Sequence, residues 1–327
     1  MPKFGPFLPN IKKSIYDILE RNELAPDFYF DSDDFYEKLE TQRFFIMPVI
    51  DKHNDKFIFK ARIEDHLSTQ AIFDREIRFP QFVKKLNIPF LNVPDVKKAE
   101  YKPIEWYIYP YLETDASGNI AEIWEKYQEN FPIKKVVLSI IALQENTKNI
   151  TEREGFVEIP KRSGEGFIEL FDQFKNSLDG LISPEETSQA REILLANKDL
   201  LKKSSAVLSH GDLHPGNIIL NEKDSPPSVT LIDWAGVQIN NYAYDIAFLW
   251  ATLSKSPKIQ NDIIEEFKKV LLEHGYNNDD FEKLFNLDLF IIIPQIVDRF
   301  NYITEHTGKK FDKQVGFLVE KFGGVVR

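Results

Sequence analysis

Cysteine is absent from the 327-residue sequence, and methionine occurs only twice. A disulfide-stapled domain, a thiolate metal site and a cysteine nucleophile are therefore excluded. Basic residues are in the minority, with 41 Lys and Arg against 52 Asp and Glu and a formal net charge of −11. Binding nucleic acid by general electrostatics needs a basic footprint, so that class is set aside. Long apolar runs are lacking too. The most apolar stretch, Leu287 to Val297, contains Asp288 and Pro294 and falls well short of the ~20 residues of a spanning helix. The opening Met1-Pro2-Lys3-Phe4-Gly5-Pro6 has no signal-peptide apolar region. The expectation is a soluble, cytoplasmic protein without nucleic-acid or membrane partners, present as a monomer or homodimer.

What remains is ordinary for a folded chain: 43% hydrophobic and 28% charged, with length for about two domains. Glycine is unevenly spread, with none between Gly5 and Gly118. Arg43 to Ile50 and Lys56 to Ile63 read as paired strands around the polar turn Asp51 to Asp55. Thr69 to Leu86 has helical spacing, with Pro80 expected to kink or split it. Ile104 to Tyr109 is a further aromatic-rich strand. Beyond Asn119 helices dominate, at Ile120–Asn130, Ile133–Asn146, Gly166–Leu181 and Pro184–Lys203. More follow at Tyr242–Ser254, Ile259–His274, Asp279–Glu305 and Lys309–Phe322. A strand-rich first third and a helical remainder define an α+β protein of two lobes, 1–110 and 111–327, joined near Tyr109 to Glu113. Residues 1–40 form an N-terminal extension with no assigned role.

One strand–turn–strand island interrupts the helices. Ser209-His210-Gly211-Asp212-Leu213-His214-Pro215-Gly216-Asn217 cannot be a regular helix, because Gly211, Pro215 and Gly216 break it. Ile218-Ile219-Leu220 then reads as a strand, Glu222 to Pro227 as a turn, and Val229 to Ile232 as the partner strand. Pairing Asn221 with Val229 sets Asn217 opposite Asp233, with Cβ atoms about 4.5–5.5 Å apart. An amide oxygen and a carboxylate converging there suit a hard cation such as Mg²⁺. Asp212 stands nearby as a candidate base.

The spacing Asp-x-x-x-x-Asn followed by a strand-borne Asp is also the arrangement of phosphoryl-transfer enzymes. HGDLHPGNIIL…LIDWAG resembles the signature of the aminoglycoside phosphotransferase and choline kinase family, relatives of the protein kinases. The resemblance implies a bilobal protein-kinase-like fold, with a small antiparallel sheet in the N-lobe and a mainly helical C-lobe. It implies an enzyme moving the γ-phosphate of ATP, or another NTP, to a hydroxyl of a small molecule with Mg²⁺. By position, Asp212 resembles the catalytic base, and Asn217 and Asp233 resemble the metal ligands. Asp245, in Tyr244-Asp245-Ile246-Ala247, resembles the aspartate that braces the catalytic loop, beside the structural His210. Upstream, Lys60 resembles the strand lysine for the nucleotide phosphates and Glu76 its helix partner. Glu76 shares an apolar stripe with Ile72, Phe79 and Val83, so its carboxylate requires a partner. Tyr109 and Tyr111 fall in the segment resembling the hinge that packs on adenine. The resemblance runs from about Phe44 to Leu253. It departs from the family at Leu143-Gln144, where Leu-His is frequent, and in having no glycine for a phosphate-covering loop.

Two other readings stand beside this one. His210, Asp212 and His214 would share one face of a strand, and with Asp233 would give a metal-dependent hydrolase. A catalytically weak pseudokinase is the third. The acceptor stays open among aminoglycosides, amino alcohols, sugars and related hydroxyl compounds. Asp279, Asp280, Asp288, Asp298 and Glu305 are carboxylates that could receive a cationic one, although taken singly each reads more readily as part of an ordinary solvated face.

Overall fold

The computed structural model describes residues 11–27, 44–63, 67–89, 91–100, 102, 104–112, 133–148, 159–221, 228–253 and 257–326. The expected helix at Ile120–Asn130, the turn Glu222 to Pro227 and much of the first 40 residues lie outside these. The chain divides into two compact units, Met1–Asn87 with Asn92–Asp115, and Ile88–Leu91 with Ala116–Arg327.

The first unit is an antiparallel sheet with a helix on each face. Its strands are β1 (Ala25–Pro26), β2 (Phe44–Ile50), β3 (Lys56–Arg62), β4 (Lys98–Glu100) and β5 (Trp106–Pro110), in the order β1-β2-β3-β5-β4. Strand side chains alternate between faces, and this sequence places two different sets there. Phe45, Met47, Val49, Phe59, Ala61, Trp106 and Ile108 form one buried face, covered by Ile11, Ile15, Ile18 and Leu19 of α1 (Ile11–Arg21). The other face carries Lys60 and Tyr107, against Phe73 and Ile77 of α2 (Leu67–Leu86). The spacing of α1 as i, i+4, i+7, i+8 was present in the sequence but unused. α2 continues as one helix through Pro80, so the expected split does not occur. The proline lacks the N–H that would bond the carbonyl of Glu76, a local loss that packing of buried Phe79 and Val83 offsets.

The described residues of the second unit are helical apart from one two-stranded and one three-stranded sheet, the latter including Leu91–Asn92. Its helices are α3 (Ile133–Thr147), α4 (Gly164–Phe174), α5 (Pro184–Ala196), α6 (Lys198–Ser204), α7 (Tyr244–Thr252), α8 (Pro257–Glu273), α9 (Asn278–Thr307) and α10 (Asp312–Val326). The helix expected over Pro184–Lys203 is two, separated at Asn197, whose backbone leaves the helical range at φ −107°, ψ 12°. β6 (Val207–Ser209) pairs antiparallel with β9 (Gln238–Asn240), and β7 (Ile218–Asn221) with β8 (Ser228–Leu231).

The apolar run Leu287–Val297 is the buried centre of α9, which packs on α7, α4 and α10. No helix among the described residues is long and apolar enough to cross a membrane. Asp288 lies within this run, fully buried, its Oδ1 accepting from Asn241 Nδ2 at 3.0 Å while Oδ2 has no partner. Burial pushes its pKa well above the usual carboxylate value, more than the Asn241 bond and nearby Arg162 lower it. The folded state thus binds a proton the unfolded chain releases, and stability falls as pH rises from about 4 toward the folded pKa. Asp288→Asn keeps the Asn241 bond and removes the ionisation. Its melting temperature relative to wild type should climb between pH 5 and 8, and a constant difference across that range would contradict the assignment.

Candidate active site

The loop between β6 and β7 and the turn between β8 and β9 are held against each other, and the ribbon β6–β9 carries one end of each. His210 leaves β6 fully buried. Its Nε2 lies 2.8 Å from Ile232 O, and its ring lies 4.7 Å from that of Trp234. Trp234 is itself anchored by Nε1 donating to Leu231 O at 2.9 Å. Gly211 has φ +81°, and a Cβ there would sit 1.9 Å from Gly236 O. Only glycine allows both the left-handed backbone and this approach.

Asp245, in the first turn of α7, gathers the loop. Its Oδ1 accepts from Ser209 Oγ (2.6 Å) and Gly211 N (3.0 Å), and its Oδ2 accepts from His210 N (2.8 Å). Three donors on one buried carboxylate fix three consecutive residues before Asp212 and satisfy a charge that burial would otherwise penalise. α7 is set in turn by Asn241, whose Oδ1 accepts from Ala243 N at 2.8 Å and whose Nδ2 reaches Asp288.

Asp212 follows with its carboxylate partly exposed. Its backbone carbonyl accepts from Asn217 Nδ2 at 2.9 Å and from His214 N at 3.0 Å. The bond commits the amide nitrogen of Asn217 and leaves Oδ1 as an acceptor. Oδ2 of Asp212 lies 3.8 Å from His214 Nε2, and Oδ1 lies 3.6 Å from Arg299 Nη1. His214 caps the short turn Pro215–Asn217, Nδ1 accepting from Gly216 N at 3.1 Å. Burial lowers its pKa, with Asp212 acting in the opposite sense, so the ring is neutral at neutral pH.

The β7–β8 register differs by one residue from that expected. Asn221 faces Ser228 and Ile218 faces Leu231, so Asn217 stands beside Ile232, whose N donates to Asn217 O at 3.1 Å. The expected opposition of Asn217 and Asp233 does not occur. Ile218, Ile219, Val229, Thr230 and Leu231 are all buried, and without alternation the sequence contains nothing to pin a register. Asp233 instead leaves the strand in the left-handed conformation, φ 61°, ψ 64°, a costly backbone state of the kind concentrated at functional sites.

A carboxylate and an amide oxygen on adjoining turns suit Mg²⁺, which keeps waters and takes phosphate oxygens as further ligands. The hydrolase reading lacks its strand, because Gly211 turns the chain. His210 is stacked and bonded inside the fold, away from such a site. Among the described residues no group of three or more His, Asp or Glu side chains is placed to hold a metal ion.

In the first unit, Lys60 Nζ donates to Glu76 Oε1 at 2.5 Å, both side chains almost wholly buried. Tyr109 is half-buried, facing Ile58 across β3–β5 and stacked on Tyr107 at 5.9 Å. Tyr111 N donates to Lys56 O at 2.9 Å. Gln144 fills the Leu-His position, Nε2 donating to Tyr242 O at 3.0 Å. Sequence reading missed Ser209, Gly236 and Arg299. Ser209 directly precedes the first motif and Gly236 ends the second without having been given a role, whereas Arg299 lies 87 residues beyond Asp212 with no local signal.

A sequence model described as the phosphotransferase enzyme family matches residues 51–269, about two thirds of the chain, and the chain belongs to that family. No curated protein sequence matches it. Among solved structures, a thermostable mutant of aminoglycoside phosphotransferase APH(4)-Ia in ternary complex with ADP and hygromycin B aligns with TM-score 0.61 and 9% identity, covering 95% of this chain and 97% of that one. ADP-bound aminoglycoside phosphotransferase APH(2'')-Ib aligns at 0.56 and 14%, covering 98% and 99%. Macrolide 2'-phosphotransferase type I aligns at 0.56 and 13%, covering 97% and 98%. At these identities the likeness establishes the protein-kinase-like α+β fold.

Gly211→Ala should therefore destabilise by more than about 3 kcal/mol, combining a left-handed backbone with a backbone clash. Gly316→Ala on α10, whose added Cβ meets nothing within 4 Å, should be neutral or stabilising by up to about 1 kcal/mol. Chemical denaturation of both variants checks this, and equal stabilities would refute the packing described.

Proposed function

We propose that this chain is an ATP-dependent phosphotransferase acting on the hydroxyl of a small molecule, with Asp212 as the base. The observation carrying this reading is the grip of Asp245 on Ser209, His210 and Gly211, which fixes the loop while leaving the Asp212 carboxylate partly open. In the proposed reaction Asp212 accepts the proton of the acceptor hydroxyl as its oxygen attacks the γ-phosphorus and ADP leaves. Asn217 and Asp233 would hold Mg²⁺, which when bound neutralises charge on the nucleotide phosphates. Lys60 supplies a fixed ammonium for the α/β-phosphates, and Glu76 holds it in place. Tyr109 and Tyr111 belong to the segment proposed for the adenine. Positioning and charge neutralisation account for most of the rate in such chemistry.

His214 is buried, with Nδ1 engaged by Gly216 N and Nε2 3.8 Å from Asp212 Oδ2, beyond hydrogen-bond distance, so the more open Asp212 carboxylate is the proposed base. The proposed acceptor is a small hydroxyl-bearing molecule, with aminoglycoside-like compounds, amino alcohols, sugars and hydroxy acids as the candidate classes, and the family membership of the chain supports a small molecule in that position.

Asp212→Asn should lower phosphoryl transfer by about 10²–10⁴-fold and leave the Kd for Mg·ATP within about threefold. Single-turnover transfer from labelled ATP, with nucleotide binding by calorimetry, tests this. Transfer at the wild-type rate would remove Asp212 from the reaction.

A further inference from the structure

Resting on that reading, we propose that Arg299 recognises an anionic group of the acceptor, so that the substrate is a hydroxyl-bearing anion rather than a polycation. Arg299 projects from α9 to bring Nη1 within 3.6 Å of Asp212 Oδ1, and its side chain is 53% exposed. The separation is longer than the 2.7–2.9 Å of a charge-assisted hydrogen bond, so the guanidinium is near the base without being saturated by it. Asp212 is its ion-pair partner among the described residues. Five donors in a planar fork suit a carboxylate or phosphate. An acceptor donating its hydroxyl to Asp212 would place a neighbouring anionic group, a few bonds away, within reach of those donors.

A further observation concerns the ammonium of a cationic acceptor. The carboxylates expected to receive such an ammonium are mostly elsewhere. Asp279 and Asp280 occupy the first turn of α9, about 30 Å of helix from Arg299 at 1.5 Å per residue. Asp288 is sealed in the core on Asn241. Asp298 is adjacent but partly buried, with its pKa raised by that burial. Glu305 lies six residues further along, acting on Tyr302.

The test uses the full chain with Mg·ATP and three sets of small hydroxyl acceptors of similar size. One set is anionic, comprising short hydroxy acids and polyol monophosphates. One is neutral, comprising polyols and sugars, and one is cationic, comprising amino alcohols and aminoglycosides. Phosphorylated product is read by mass spectrometry. The proposal predicts the highest kcat/KM in the anionic set, with the hydroxy acids and the monophosphates separating carboxylate from phosphate recognition. Arg299→Gln should then raise KM for the best anionic acceptor by about 10- to 100-fold, with the KM for Mg·ATP within twofold, and Arg299→Lys should fall between. Preferred turnover of cationic or neutral acceptors, or an unchanged acceptor KM in Arg299→Gln, overturns the role of Arg299 while the phosphotransferase reading stands. No product from any set overturns both.

Discussion

One buried carboxylate holds the candidate active site together. Asp245 receives a hydroxyl and two backbone N–H groups from Ser209, His210 and Gly211, and without those donors an ionised group at 1% exposure would be prohibitively placed. The dependence runs both ways. The loop is otherwise a strained segment with a positive φ at Gly211, and the carboxylate makes that conformation the favoured one. Everything downstream follows in order, from the outward carboxylate of Asp212 to the amide of Asn217 tied back to its carbonyl. The contact of Gly211 with Gly236 then binds this loop to the turn carrying Asp233. The two loops that carry Asn217 and Asp233, the proposed oxygen ligands, are thereby tied together although strand pairing does not set the two residues opposite each other.

In the first unit the organising device is the two-residue period of a strand. Phe59 and Ala61 point to the face sealed by α1, so Lys60 between them must point to the face under α2. There Glu76 meets it. A buried ion pair is weak evidence for stability, because desolvation of both charges cancels much of their attraction. An apolar layer of Phe73, Ile77 and Tyr107 surrounds it, and a second buried pair, Arg62 with Glu105, follows two residues along the same strand. The same layer explains why Pro80 is tolerated: α2 is held by packing rather than by an unbroken hydrogen-bond ladder.

Much of this was legible in the sequence, for identifiable reasons. Lys60 and Glu76 could be paired because a carboxylate in an apolar stripe demands a partner and an adjacent strand offered one. The motif loops could be recognised because Gly211, Pro215 and Gly216 exclude regular structure around Asp212. The β7–β8 register could not be read, since both strands are buried on both faces. α1 was overlooked although its four core residues fall at helical spacing. Arg299 was invisible because its meeting with Asp212 is a product of how α9 crosses the unit. The acidic residues of α9 are distributed by the helix between its capped first turn, the core and the later turns, an arrangement that sequence spacing alone does not reveal.

The chain's net negative charge therefore says little about its ligands. Locally, Lys60 and Arg299 are the cations that matter, one proposed for the nucleotide and one for the acceptor. The central claim is that the γ-phosphoryl group ends on a hydroxyl. Following Mg·ATP by ³¹P NMR in the presence of the wild-type chain and pooled hydroxyl acceptors tests it most directly. The account predicts a new phosphomonoester resonance growing in step with ADP. ADP accompanied only by inorganic phosphate, or unconsumed ATP with every pool, would contradict it.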